Sequence, residues 1–142
     1  MTGARRVGAV LATALTGAAT TAAAQDYVLS VDGHGMREYY CQTEVTLENR
    51  TDANLMEISG HLFLYIGGEQ VGRSKGTWFM NVAPGGAATA TFETPNAPCA
   101  EADRIEFVVG ACRIAGPGFD DKAACAARIG TASPRLTVAT GA

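Results

Sequence analysis

Residues Glu38–Asn49, EYYCQTEVTLEN, impose the strongest constraint on the fold. Tyr39, Cys41, Thr43, Val45 and Leu47 fall on one side of a period-two pattern, with Gln42, Glu44, Thr46 and Glu48 on the other. A strand with one buried and one wet face produces this alternation. The pattern recurs in LMEISGHLFLYIGG, where Leu62, Leu64 and Ile66 oppose Phe63 and Tyr65, and Gly60 marks a bulge or bend. GTWFMNVAPGG predicts a strand with Trp78, Met80 and Val82 on one face. AATATFET, RIEFVVGACRI and RLTVAT predict three more, and Val28 to Val31 a first edge strand or a loose arm. The single helical candidate is DDKAACAARIG, capped by Asp120 or Asp121 and ended by Gly130. Six to seven short strands with glycine and proline turns predict an all-β sandwich, with a small barrel as the competitor.

Residues 1–24 read as a secretory signal peptide: Arg5 and Arg6, then the uncharged run VGAVLATALTGAATTAAA, with cleavage expected after Ala24. The run is too weakly apolar for a permanent span, which needs about 20 strongly apolar residues. Residues 25–142 then form one domain, small enough that covalent staples matter. Without Arg5 and Arg6 it keeps nine basic residues against 14 acidic, a formal charge of −5. Nucleic acid is therefore not an expected partner, since phosphate contacts need a concentrated basic surface.

All four cysteines, Cys41, Cys99, Cys112 and Cys125, follow the leader. An even count in an exported chain implies two disulfides. Three pairings are open. Cys41–Cys99 with Cys112–Cys125 is favoured, because the second closes a short loop containing Gly-Pro-Gly. No Cys-x-x-Cys stands ready for redox work, and the spacing lacks the paired ligands of a tetrahedral metal site, so neither a metal nor a cofactor is expected.

The arrangement VTLENRT, GHLFLYIGGEQVG and FMNVAPGGAATATF, between Val45 and Phe92, resembles small bacterial exported domains with immunoglobulin-like sandwiches. The shared pieces are a strand ending in Asn-x-Thr, a glycine turn and a Val-x-Pro-Gly turn. The resemblance implies an immunoglobulin-like sandwich that acts as a binding or assembly module, and it transfers no functional residue.

IGGEQVGRSKGTWF, Ile66 to Phe79, stands one residue away from a phosphate-binding GxxxxGK[ST] loop, with Arg73 where the lysine belongs. Such a loop needs a helix to follow, so that the amides of its first turn meet the anion. TWFMNV alternates like a strand instead, so the glycines are assigned to hairpin turns. Arg73, Lys75 and Trp78 gather beside them, and with Tyr40 they form the candidate partner surface, because Arg and Trp favour interface centres. The competing assignment, and the preferred one for Trp78, is the core beside Met80 and Val82. Tyr39 is expected to pack with Cys41, leaving Tyr40 outward.

His34, in DGHG with Asp32 nearby, is assigned to an exposed turn, and His61 to a partly buried strand position. Ser30, Ser59, Ser74 and Ser133 lack the GxSxG setting of a nucleophile. Glu44 with Glu48, Glu101 with Asp103 and Asp120 with Asp121 have sufficient structural roles. Asn49-Arg50-Thr51 matches a glycosylation pattern, but Asn49 is assigned to a turn. The sequence thus predicts a non-catalytic, periplasmic or secreted module that binds a protein or an envelope component, with no stable membrane insertion after cleavage. A small-ligand carrier is one alternative. The other is an inhibitor of an extracellular hydrolase, acting through the loop CRIAGPGFDDKAAC.

Overall fold

Period-two alternation becomes nine strands in the computed structural model, which describes residues 25–141. The expected signal peptide, residues 1–24, lies outside the described residues. The strands are β1 (Tyr27–Arg37), β2 (Tyr40–Asn49), β3 (Leu55–Ile66), β4 (Glu69–Arg73), β5 (Thr77–Val82), β6 (Ala87–Pro95), β7 (Arg104–Arg113), β8 (Ile129–Thr131) and β9 (Leu136–Thr140). One sheet runs β6-β2-β1-β8; the other runs β4-β3-β7-β9, with β5 also paired to β3. Because β7 follows β3 from Glu57 to Tyr65, β4 and β5 must share the opposite edge of β3, one after the other.

The two sheets face one another across a single core. Leu29, Val45 and Leu47 come from the first sheet and Ile58, Leu62, Leu64, Ile105 and Phe107 from the second, all without solvent exposure. Phe79, Phe92 and Phe107 meet at its centre, with ring centroids 6.0 to 6.5 Å apart. Most ladders are antiparallel, as short turns allow. The pairs β1–β8 and β7–β9 are parallel, because the chain crosses from one sheet to the other after β7 and then returns. That crossing carries α1 (Lys122–Ala126), whose start is capped by Asp121 accepting from Ala124 N at 3.0 Å. The barrel alternative fails, since the two sheets keep separate ladders. They are tied at one edge by Lys75 N donating to Glu93 O, 2.9 Å.

Both disulfides form as favoured, Cys41–Cys99 and Cys112–Cys125. The strand count exceeds the expected six to seven because β4 lies in the stretch assigned to glycine turns, and because α1 stops at Ala126, so that Ile129 and Gly130, expected at the helix end, belong to β8. Residues Val28 to Val31 are part of a longer strand that is no edge at its start: β1 lies between β2 and β8 there.

Trp78 and Met80 are not in the core. Phe79 and Val82 face inward, while Trp78 is 60% and Met80 51% exposed. The reason is local. Asn81 has a positive φ of 52°, which places two outward residues between inward Phe79 and inward Val82. Their partners Ile58 and Leu55 repeat the same three-residue step on β3. A strict period of two therefore assigns the first half of β5 to the wrong face.

Tyr39 also departs from expectation. Glu38, at φ 52°, and Tyr39 form a two-residue turn between β1 and β2, so Tyr39 is 77% exposed. Its carbonyl accepts from Asn96 N at 3.1 Å.

Candidate functional site

The loop that imitates a phosphate-binding motif is used up by structure. Gly67 and Gly68, with φ of 56° and 85°, make the β3–β4 turn, and Asp103 holds it by accepting from Gly67 N at 2.8 Å. Gly72 is a packing glycine: a Cβ there would stand 2.7 Å from Thr94 Cγ2 and 2.8 Å from Ala97 Cβ. Ser74 fills the gap between β4 and β5. Its amide donates to Leu62 O and its hydroxyl accepts from Leu62 N, so one residue completes the ladder of β3. No helix follows, and the backbone amides turn to the sheet instead of an anion.

The four expected surface residues do not form one patch. Lys75 ion-pairs with Glu93 at 3.5 Å and lies over the Tyr40 ring at 5.1 Å, on the side of the first sheet. Arg73 lies over Phe63 at 5.8 Å, on the outer face of the second sheet. Trp78 shares that outer face, since its ladder partner Ser59 and the partner of Arg73, Phe63, both alternate outward along β3. His61 stands between them, its ring edge-on to Phe63 at 4.9 Å.

The second sheet's outer face therefore carries a row that the sequence pattern had split. His61, Phe63 and Tyr65 run along β3, Trp78 and Met80 flank them, and Arg104 sits 3.7 Å above Tyr65. Beside Trp78 opens a groove of about 330 Å³ lined by Glu57, Ser59, His61 and Thr77. Gly60, Gly76 and Gly110 complete its lining. Gly60 is required by close approach, because a Cβ would meet Val108 O at 2.2 Å. The expected bulge lies here, with a register shift between Ser59 and Gly60.

His34 departs furthest from the exposed turn expected for it. Gly33 and Gly35 look like turn formers, yet pairing with β2 keeps them extended and turns the His34 ring inward, opposite Thr43. Its Nε2 is 2.7 Å from Cys99 O, which can only accept, so Nε2 carries the proton. Nδ1 then accepts from the Thr43 hydroxyl at 2.8 Å, and lies 3.8 Å from Cys41 Sγ and 3.9 Å from Cys99 Sγ. The donor atoms of His34, Cys41 and Cys99 all fall within 4.8 Å of one another. The hairpin register was the signal that could have placed His34 beside Cys41. Nothing local in the sequence brings Cys99 to them.

Burial lowers the His34 pKa, opposed by its hydrogen bond to Cys99 O and reinforced by the charge of Arg135. Partial burial and Arg73 lower that of His61. A histidine held neutral in the fold but free to protonate when unfolded gives stability present above pH ~6.5 and lost as pH falls below it. Urea unfolding midpoints are expected to fall from pH 7.5 to pH 5, with a shallower fall in His34→Gln. Equal slopes in the two chains would contradict this assignment.

Among the described residues, neither histidine bonds a serine hydroxyl. Ser133 accepts from Val31 N, Ser74 from Leu62 N. Asp32 accepts from Thr46, Glu48 pairs with Arg50 at 3.2 Å, and Asp103 holds the β3–β4 turn. The Cys112–Cys125 loop is braced further: Arg128 donates to Ala115 O and Pro117 O and pairs with Asp26 at 2.6 Å, leaving Phe119 54% exposed.

These features define an all-β, two-sheet domain closed by two disulfides, with an aromatic outer face and no helix, among the described residues, long and apolar enough to cross a membrane. No protein-family model, curated protein or solved structure matches the chain.

Proposed function

We propose that the chain is a non-catalytic, exported binding module, a variant immunoglobulin-like sandwich that docks a protein or envelope component through the outer face of its second sheet. The observation that carries this reading is the co-location of Trp78, Met80 and Met56, each at least half exposed, with the row His61, Phe63 and Tyr65. Isolated exposed apolar side chains are ordinary; several together beside aromatic residues and Arg73 resemble the desolvating centre of an interface. The surface differs from the one expected from sequence: Lys75 and Tyr40 belong to the other sheet's side and drop out of it. Export rests on the leader reading, and the immunoglobulin-like assignment on the facing order β6-β2-β1 against β4-β3-β7, with the parallel pairs β1–β8 and β7–β9 as the variation.

The braced loop bearing Phe119 favours the inhibitor reading as the second one, because ordering that precedes binding lowers its cost. Pull-down from an envelope fraction separates the two. Trp78→Ala/Met80→Ala is expected to abolish specific capture while altering stability by less than ~0.5 kcal/mol, as exposed substitutions do. Capture that survives this change but is lost with Phe119→Ala would move the function to the loop. Retention by both variants would end the outer-face proposal.

A further inference from the structure

We propose that reduction of the Cys41–Cys99 disulfide uncovers a binding site for a soft monovalent metal ion, copper(I), held by the Nδ1 of His34 and the sulfurs of Cys41 and Cys99. Thiolates select ions of this kind, and imidazole suits copper as well. The three donors are already gathered within 4.8 Å, supplied by β1, β2 and the short 3-10 turn Cys99–Glu101.

The hydrogen bond of the ring's Nε2 to Cys99 O adds support. A ligating histidine characteristically donates its other ring N–H to a carbonyl or carboxylate, which fixes the tautomer and aims the lone pair. His34 has half of this arrangement before any ion arrives: Nε2 donates to Cys99 O, while Nδ1 is engaged by the Thr43 hydroxyl, which the ion has to displace, and Cys41 Sγ lies over the ring face, 3.8 Å from Nδ1 and 3.9 Å from Nε2. The Cα atoms of Cys41 and Cys99 are 5.4 Å apart, a spacing at which two thiolates can flank one ion. Met36, the ladder partner of Cys41, lies on the same face and is half exposed.

The chemistry balances with a dithiol reductant. Its two thiols lose two electrons and two protons and close to a disulfide; the Cys41–Cys99 bond takes them up and opens to two thiols. Each sulfur that then binds the ion releases its proton to solvent. With the disulfide closed there is no thiolate, and the site does not exist.

The test uses the mature chain, reduced with a phosphine under anaerobic conditions and titrated with copper(I) against bicinchoninate, while circular dichroism follows the sheet. The reduced chain is expected to withhold one ion, and the oxidised chain none. His34→Ala is expected to weaken retention at least ~10-fold, and X-ray absorption to show nitrogen beside sulfur around the bound copper. A chain lacking Cys112 and Cys125 should withhold the same single ion. Several results would overturn the proposal: no retention by the folded reduced chain, equal retention by His34→Ala, a sulfur-only shell, loss of the ion with the second cysteine pair, or loss of the sheet signal on reduction.

Discussion

Replacing Cys41 and Cys99 together by alanine is expected to cost about 4 kcal/mol, against about 3 kcal/mol for Cys112 and Cys125. In the chain-entropy model the difference follows from loop length, since the first bridge spans 58 residues and the second 13. Both pairs are buried, Cys41 and Cys99 at 0% and 1% exposure and Cys112 and Cys125 at 2% and 0%, so alanines leave unfilled volume at either and loop length sets the difference. Against a total of about 5–15 kcal/mol for such a domain, either loss is large and neither need abolish folding. Guanidinium unfolding of the two double variants is the measurement. A larger loss at the short loop than at the long one would show that the denatured-chain account fails here, and that the bracing by Arg128 dominates.

Asn49→Ala is expected to destabilise the fold by about 3 kcal/mol, lowering the thermal midpoint by about 10 °C. Asn49 is fully buried at the end of β2, and its side chain joins three segments. Nδ2 donates to Ala53 O at 2.9 Å and to Val82 O at 3.0 Å, while Oδ1 accepts from Thr51 N at 3.0 Å and from the Thr51 hydroxyl at 2.7 Å. Alanine would leave Val82 O and Thr51 N without these partners in a site closed to water, the costly case for a buried polar group. Asn49→Asp is a sharper test, because it turns two donors into acceptors facing carbonyls and should cost more than alanine. A loss below ~1 kcal/mol for Asn49→Ala, measured by calorimetry, would mean that water replaces the amide. The same geometry explains the Asn-x-Thr triplet: it closes the turn after β2, with the amide nitrogen engaged inside the fold.

The limits of alternation are visible at particular residues. In β2 it is unbroken from Cys41 to Leu47, every second residue buried as expected, and it runs on to Asn49, which the sequence assigns to a turn and the fold buries. In β5 a single positive φ at Asn81 reverses it, and the exposed Trp78 that carries the functional proposal was read as core. A tryptophan beside methionine and valine satisfies a hydrophobic pattern equally well on either face; only the register to β3 distinguishes them. His34 fails for the opposite reason. Its glycine neighbours favour a turn locally, and the hydrogen-bonded ladder with β2 overrides that preference.

The sequence alone specified the all-β class, the one short helix with its aspartate cap and most of the strands, but not β1 at Gly33–Gly35, which it reads as a turn. It did so because backbone alternation, capping and glycine conformations act between residues a few positions apart. It also favoured the disulfide partners correctly, through loop length. The tertiary structure alone decided which residues meet across distance: Trp78 with His61 and Arg73 on one outer face, and His34 with a disulfide whose second cysteine lies 65 residues away in the chain. Such meetings depend on strand order and register, which arise when the whole core closes and have no local signature for a periodic pattern to carry.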